Sequence, residues 1–179
     1  MPNPAPFTAK LLQAIQEKAT SKTVAKGSYI IKAGDIEQHL YFIETGAVRV
    51  FYLTEFEEHT IRLGYTGSII NSLSSFIKGT PSEFYIEALR KTELKVISKT
   101  DLRNLIHSSE ENMRGYIDLI ELLVTQQIER EIDLLITSPT ERLERVLQRS
   151  PNVFQEIPLK YIASYLRMKP ETLSRIRKS

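Results

Sequence analysis

Residues 110–136 carry more apolar side chains than one helical face can hold, and this surplus limits the fold more than any other stretch. Ile117, Ile120, Val124, Ile128, Ile132 and Leu135 recur at steps of three and four, the spacing of a single helical stripe. Leu119, Leu122, Leu123 and Leu134 widen that stripe beyond what one packing partner needs. Such a helix is satisfied when one side covers its own domain and the other meets an identical helix. The expected assembly is therefore a parallel, coiled-coil-like homodimer with the six stripe residues at its interface. The alternative, burial wholly within one chain, asks 179 residues to supply elements on every side of the helix.

Upstream the period changes. A short amphipathic helix over 8–18 presents Leu11, Leu12 and Ile15 on one side. It is followed by short β-type runs at 29–31, 40–43, 48–52, 60–63, 84–86 and 94–97. Turn signals fall at Gly34-Asp35, Thr45-Gly46 and Gly64 to Gly67. Short strands at this spacing predict a sandwich, roll or barrel rather than alternating βαβ units. Asp101 is the expected N-cap of a short helix through Leu105 and Ile106.

Downstream, Ser138-Pro139-Thr140-Glu141 is a capping box with proline at the first helical position. The helix it starts turns Leu143, Val146 and Leu147 inward and stops before Pro151, which makes Thr137-Ser138 the expected hinge. Residues 157–178 then read as two short helices joined by a tight turn, with Pro158 and Pro170 each suited to a first helical position. Ile162, Ala163 and Leu166 share one face, Leu173 and Ile176 edge the second helix, and small Ala163 permits close approach. That is the packing of a helix-turn-helix. Lys160, Arg167, Lys169, Arg175, Arg177 and Lys178 oppose the single acid Glu171, so this segment carries a formal +5 in a chain of net +2. A basic, helical module of this kind points to double-stranded DNA.

Composition removes several chemistries. Without cysteine there are no disulfides, thiolate nucleophiles, cysteine zinc sites or cysteine-ligated iron–sulfur clusters. His39, His59 and His107 are scattered with no second ligand at metal spacing, and no Walker, GxSxG or dinucleotide fingerprint occurs. Neither an enzyme nor a cofactor is expected. The opening Met1-Pro2-Asn3-Pro4-Ala5-Pro6 lacks the pattern of a signal peptide, and no segment has the apolar length of a membrane span. The expectation is a soluble, cytoplasmic protein without a membrane partner.

The order of parts, β-domain, long helix, helix-turn-helix, resembles the cyclic AMP receptor protein and fumarate–nitrate regulator (Crp/Fnr) superfamily. Lys26-Gly27-Ser28-Tyr29-Ile30 with Gly34-Asp35 is similar to the family's opening strand and turn. Leu40-Tyr41-Phe42-Ile43-Glu44-Thr45-Gly46-Ala47-Val48-Arg49-Val50 is similar to its most recognisable hairpin. Ile162-Ala163-Ser164-Tyr165-Leu166 and Pro170-Glu171-Thr172-Leu173-Ser174-Arg175-Ile176 resemble its two DNA-binding helices. The resemblance implies an α+β protein with a cyclic-nucleotide-binding-like β-roll (jelly roll) over 1–109, a dimerisation helix over 110–137 and a helix-turn-helix domain over 138–179. It implies a transcription regulator that binds an inverted-repeat operator and contacts RNA polymerase. Pro170, Glu171, Thr172, Ser174, Arg175, Arg177, Lys178 and the preceding Lys169 would then be the DNA-contacting set. The other open reading is a sensory module for a small effector or a protein partner, with weak or no DNA binding.

The chain departs from that family in its effector pocket. In cyclic-nucleotide-binding members a Gly-Glu pair takes the ribose and an Arg-Ser or Arg-Thr pair takes the phosphate. Here the matching stretches read Gly67-Ser68-Ile69 and Ser82-Glu83-Phe84. Ser68 stands at the carboxylate position and Ser82 at the guanidinium position, with the acid Glu83 beside it. Without its guanidinium a buried phosphate loses the charge-assisted bonds that offset desolvation. The pocket of Gly67, Ser68, Ile69, Ser82 and Glu83 is thus expected to be degenerate, with Lys78 and Arg90 as the alternative cations. In the turn between the two terminal helices Arg167 replaces the usual glycine, at a cost of about 1 kcal/mol if φ is positive there. Lys169 replaces the usual Ser or Thr cap, and the β-hairpin wing common in the family is absent or truncated.

Overall fold

The computed structural model describes residues 6–178, whose strands form two four-stranded antiparallel sheets. One sheet runs in the order β1 (Thr20–Val24), β8 (Thr92–Ser98), β3 (His39–Thr45), β6 (Ile69–Ile70). The other runs β2 (Tyr29–Ile31), β7 (Phe84–Ala88), β4 (Ala47–Leu53), β5 (Glu58–Tyr65). Tyr41 and Ile43 from the first sheet and Val48, Val50, Ile86 and Ala88 from the second meet in the core between them. They alternate along their strands because successive side chains point to opposite faces. The β3–β4 hairpin turns at Gly46, with φ +107°. A Cβ there would stand 2.5 Å from Thr92 Oγ1, so only glycine fits.

A second core lies outside the first sheet, where α1 (Pro6–Lys18), α3 (Lys99–His107) and α4 (Glu110–Leu135) pack. Leu11, Ile15, Leu40, Ile97, Leu102 and Leu119 are buried there, each such side chain contributing about 1.5–3 kcal/mol. The cap of α3 corrects the sequence expectation. Ser98, not Asp101, is the N-cap, its Oγ accepting from Asp101 N, while Asp101 lies in the first turn and accepts from the Ser98 hydroxyl at 2.6 Å. Only the Ser98 half of a capping box forms, because the Asp101 carboxylate bonds the Ser98 hydroxyl rather than its backbone N–H.

Helix α4 buries Gly115 and Leu119 toward this core but leaves Ile117, Val124, Ile128, Ile132 and Leu135 exposed, with Ile120 half-buried. The stripe expected at the dimer interface is therefore bare on the single chain, Leu135 being 80% accessible. The C-terminal end of α4 is tied by the fully buried Asp133, which accepts from Arg145 at 2.8 Å and also pairs with Arg149.

Ser138 caps α5 (Pro139–Arg149) by accepting from Glu141 N, as its box predicts. Then come α6 (Val153–Glu156), α7 (Leu159–Tyr165) and α8 (Pro170–Lys178). Pro158 proves to be the N-cap residue of α7 rather than its first helical position. Leu143, Val146, Ile162, Ala163, Leu166 and Leu173 form a third core, and it continues into the β-domain through Ala47 and Leu89.

That continuation has a polar seam. β5 is an edge strand of its sheet, and α7 covers it: Thr60 N donates to Ser164 Oγ at 3.1 Å, and Ser164 Oγ donates to the Glu58 carbonyl at 3.4 Å. Arg49 of β4 pairs with Glu58 and Glu87 while its guanidinium lies 4.1 Å from the Phe51 ring centre and 4.5 Å from that of Tyr161 on α7. A salt-bridged guanidinium between two rings combines both favourable settings of an arginine.

Candidate functional site

Helices α7 and α8 meet through a turn at residues 166–169, where Arg167 takes φ +54°. This is the positive φ expected at that position, carried by arginine instead of glycine. Arg142 of α5 supports the turn. Its Nη1 donates to the carbonyls of Leu166 and Arg167, and its Nη2 donates at 2.7 Å to the carbonyl of Ile136, the residue capping α4. One guanidinium thus joins the end of the long helix to the turn. Arg167 itself bonds His59 Nδ1 at 2.9 Å.

On α8 the apolar side is anchored by buried Leu173, and the opposite side is basic. Lys169, Pro170, Glu171, Arg175, Arg177 and Lys178 are exposed, while Thr172 and Ser174 are half-buried. Arg177 lies over Phe154 at 5.6 Å. Among the described residues none of the basic side chains Lys169, Arg175, Arg177 and Lys178 has a carboxylate within ion-pair distance. Unpaired exposed cations on a helix face suit a polyanion.

Of the residues expected in the effector pocket, Ser68 borders the cleft between β5 and α4, while Ser82 lies against Ser72. Ser68 is buried, its Oγ accepting from Tyr65 N at 3.1 Å, and Ile69 pairs with Phe42 in β6. Gly67 is an exposed turn residue with φ +86°. Ser82 is buried, and its hydroxyl lies 2.8 Å from that of Ser72 and donates to the Phe84 carbonyl at 2.9 Å. Glu83, the acid expected beside the phosphate position, is exposed. Lys78 is exposed on α2 (Leu73–Lys78), and Arg90 pairs with Glu156 of α6.

The acid that does occupy this region is Glu37, which the sequence reading passed over. It is fully buried, accepting from His39 N at 3.0 Å, from the Tyr41 hydroxyl at 3.1 Å and from Ser72 N at 3.4 Å. Its own N–H donates to Ser75 Oγ at 2.9 Å. The N–H of Ser72, the residue that caps α2, is thus engaged by the chain's own carboxylate.

Burial raises the Glu37 pKa above its usual 4.5, against the lowering effect of the His39, Tyr41 and Ser72 hydrogen bonds. A carboxyl whose folded pKa is raised holds its proton more tightly in the native state. Its contribution to stability is therefore largest below pH 4.5 and declines as pH rises through the folded value. Carbon-detected NMR of the Glu37 carboxyl should show a titration midpoint above 4.5, and a midpoint at or below it would refute this environment.

A two-sheet β-domain with a short helix between β6 and β7, followed by a long helix, defines the cyclic-nucleotide-binding class of fold. Residues 21–109 match the family model of the cyclic nucleotide-binding domain. The chain as a whole has the fold of the Crp/Fnr-type regulators. It is similar to FixK2 from Bradyrhizobium japonicum (18% identity, TM-score 0.74, covering 89% of this chain and 83% of that one). It is similar to the Thermus thermophilus catabolite activator protein (22%, TM-score 0.60, 97% and 82%). It is also similar to the c-di-GMP responsive global regulator CLP from Xanthomonas campestris (16%, TM-score 0.69, 95% and 90%). A search of the curated proteins found no match. No helix among the described residues is long and apolar enough to cross a membrane, and none of their His, Cys, Asp and Glu side chains cluster as a metal site.

Proposed function

We propose that the protein is a homodimeric, sequence-specific DNA-binding transcription regulator whose β-domain does not answer to cyclic AMP. The observation that carries this reading is α8, a short helix set on α7 by a tight turn, with its outward cations free of acidic partners among the described residues. Pro170 starts the helix, and Glu171, Ser174 and Arg175 lie at steps of three and four, so they project together into a major groove. Lys169, Thr172, Arg177 and Lys178 are placed for phosphates, where they position without specifying sequence. The bare stripe of α4 supports pairing of two chains, and a C2 dimer presents two copies of α8 to an inverted repeat. As a regulator it would contact RNA polymerase. The working division is a β-domain over 1–109, a dimer helix over 110–137 and a DNA-binding unit over 138–179.

Unresponsiveness to cyclic AMP rests on Ser68 and Ser82 at the carboxylate and guanidinium positions and on Glu37 beneath α2. Selection of genomic fragments by the purified chain, run with and without cyclic AMP, tests both halves of the proposal. The expected result is an inverted-repeat consensus with half-sites about one helical turn apart, recovered equally under both conditions. A non-palindromic consensus, or enrichment that depends on the nucleotide, would overturn it.

A further inference from the structure

Arg167 stands where the backbone and the neighbouring charges both oppose it. Among the described residues it alone, apart from glycines, takes a positive φ, +54°. Glycine adopts that conformation freely, and an L side chain is disfavoured there by about fivefold. Two further arginines crowd the same turn. Arg142 Nη1 donates to the carbonyls of Leu166 and Arg167, and Arg130 Nη2 donates to that of Tyr165. These two already serve the carbonyls that the end of α7 leaves open, and both Arg167 and Arg142 repel Arg130.

No carboxylate lies within ion-pair distance of Arg167 among the described residues. What its side chain does hold is His59. Nη1 lies 2.9 Å from His59 Nδ1, and because a guanidinium only donates, the imidazole nitrogen accepts. His59 is half-buried on β5, and its other nitrogen faces Glu57 at 3.8 Å. Thr60, the next residue on that strand, donates its N–H to Ser164 of α7. The Arg167–His59 bond therefore continues the seam between α7 and β5 beyond the end of α7 and into the turn that leads to α8.

We propose that Arg167 is a positioning residue, a guanidinium kept at an unfavourable backbone position because from there it fastens the α7–α8 turn to β5 through His59. Glycine would suit the backbone better and could not reach the strand. A backbone outlier whose side chain makes a contact that no better-suited residue could make is the signature of such a role. The consequence rests on the DNA-binding reading: a fastened turn holds α8 at one angle to the β-domain, which fixes the separation of the two copies of α8 in a dimer.

A double-mutant cycle at one chain concentration tests the fastening without DNA. In the unaltered chain Arg167→Gly both relieves the backbone and loses the His59 contact, so the denaturant midpoint should move little. In a His59→Ala chain only the relief remains, and the same change should raise the ratio of folded to unfolded chain about fivefold. His59→Leu gives the same comparison if the alanine variant does not fold. An equal effect of Arg167→Gly in both backgrounds would overturn the fastening.

Operator binding tests the consequence. His59→Ala leaves every α8 side chain in place, so base preference and salt dependence should match those of the unaltered chain. Tolerance of spacing should differ. One base pair added between half-sites displaces one of them by about 3.4 Å, which should weaken the unaltered chain at least about tenfold and the His59→Ala chain by about threefold or less. An unchanged spacing penalty would overturn the positioning role. So would a salt dependence lowered by about one unit in Arg167→Gly with the spacing penalty intact, which would assign Arg167 to a phosphate. If the unaltered chain selects no operator, the DNA-binding reading falls and the cycle still decides the fastening.

Discussion

Replacing Ile128 with glutamate should leave a chain that runs as a monomer or falls out of solution. Ile128 sits in the middle of the exposed α4 stripe, with Val124 four residues before it and Ile132 four after. In a parallel pair of helices the two copies of this position face each other across the two-fold axis. Burying an isoleucine contributes about 1.5–3 kcal/mol, so losing it from both chains removes about 3–6 kcal/mol per dimer, a 10²- to 10⁴-fold weakening. Two like carboxylates brought together at the axis add a desolvation cost on top. The fold of the single chain should survive, because the Leu119 side of α4 is untouched. Light scattering on the purified variant measures the result directly, and a stable native dimer would refute the interface.

Arg175→Ala should cost about 1–3 kcal/mol on the best operator and relax the preference at one base pair per half-site. Arg175 is exposed on α8 one turn after Glu171 and is not held by an acid among the described residues. Its guanidinium is therefore available to bond guanine O6 and N7 together, while Glu171 can accept from a cytosine amino group. Lys178 gives the contrast. Its removal should weaken all sequences about equally and lower the salt dependence of binding by about one unit. Competition binding over a series of salt concentrations separates the two behaviours. Unaltered base preference in Arg175→Ala would remove that residue from its role.

What could be read from the residues depended on how far each signal reached. The α4 stripe was legible because its period persists through the helix, and Ser138 was legible because a capping box is a local pattern. The cap of α3 was misread because Ser98 and Asp101 both suit the position and only backbone geometry decides between them. β1 (Thr20–Val24) escaped because four of its five residues are exposed and polar Thr-Ser-Lys-Thr carries no β pattern. Helices α2 and α6, of six and four residues, are too short for periodicity to show. Glu37 was passed over because nothing in its neighbouring residues marks it for burial. Its burial follows from Tyr41, Ser72 and Ser75 converging on it, a tertiary fact with no local trace.

The cover that α7 gives to β5 also bears on solubility. A sheet edge with free backbone donors and acceptors is a template for pairing with another chain. In this molecule the Ser164 hydroxyl engages Thr60 N and the Glu58 carbonyl on that edge, and Leu63, Ala47 and Leu89 are shielded by the same group of helices. A chain cut after the long helix would bare both at once: an unpaired strand bordered by apolar surface, the combination that drives intermolecular β-sheet growth. The terminal helices thus act as a guard against self-association of the β-domain, whatever else they bind.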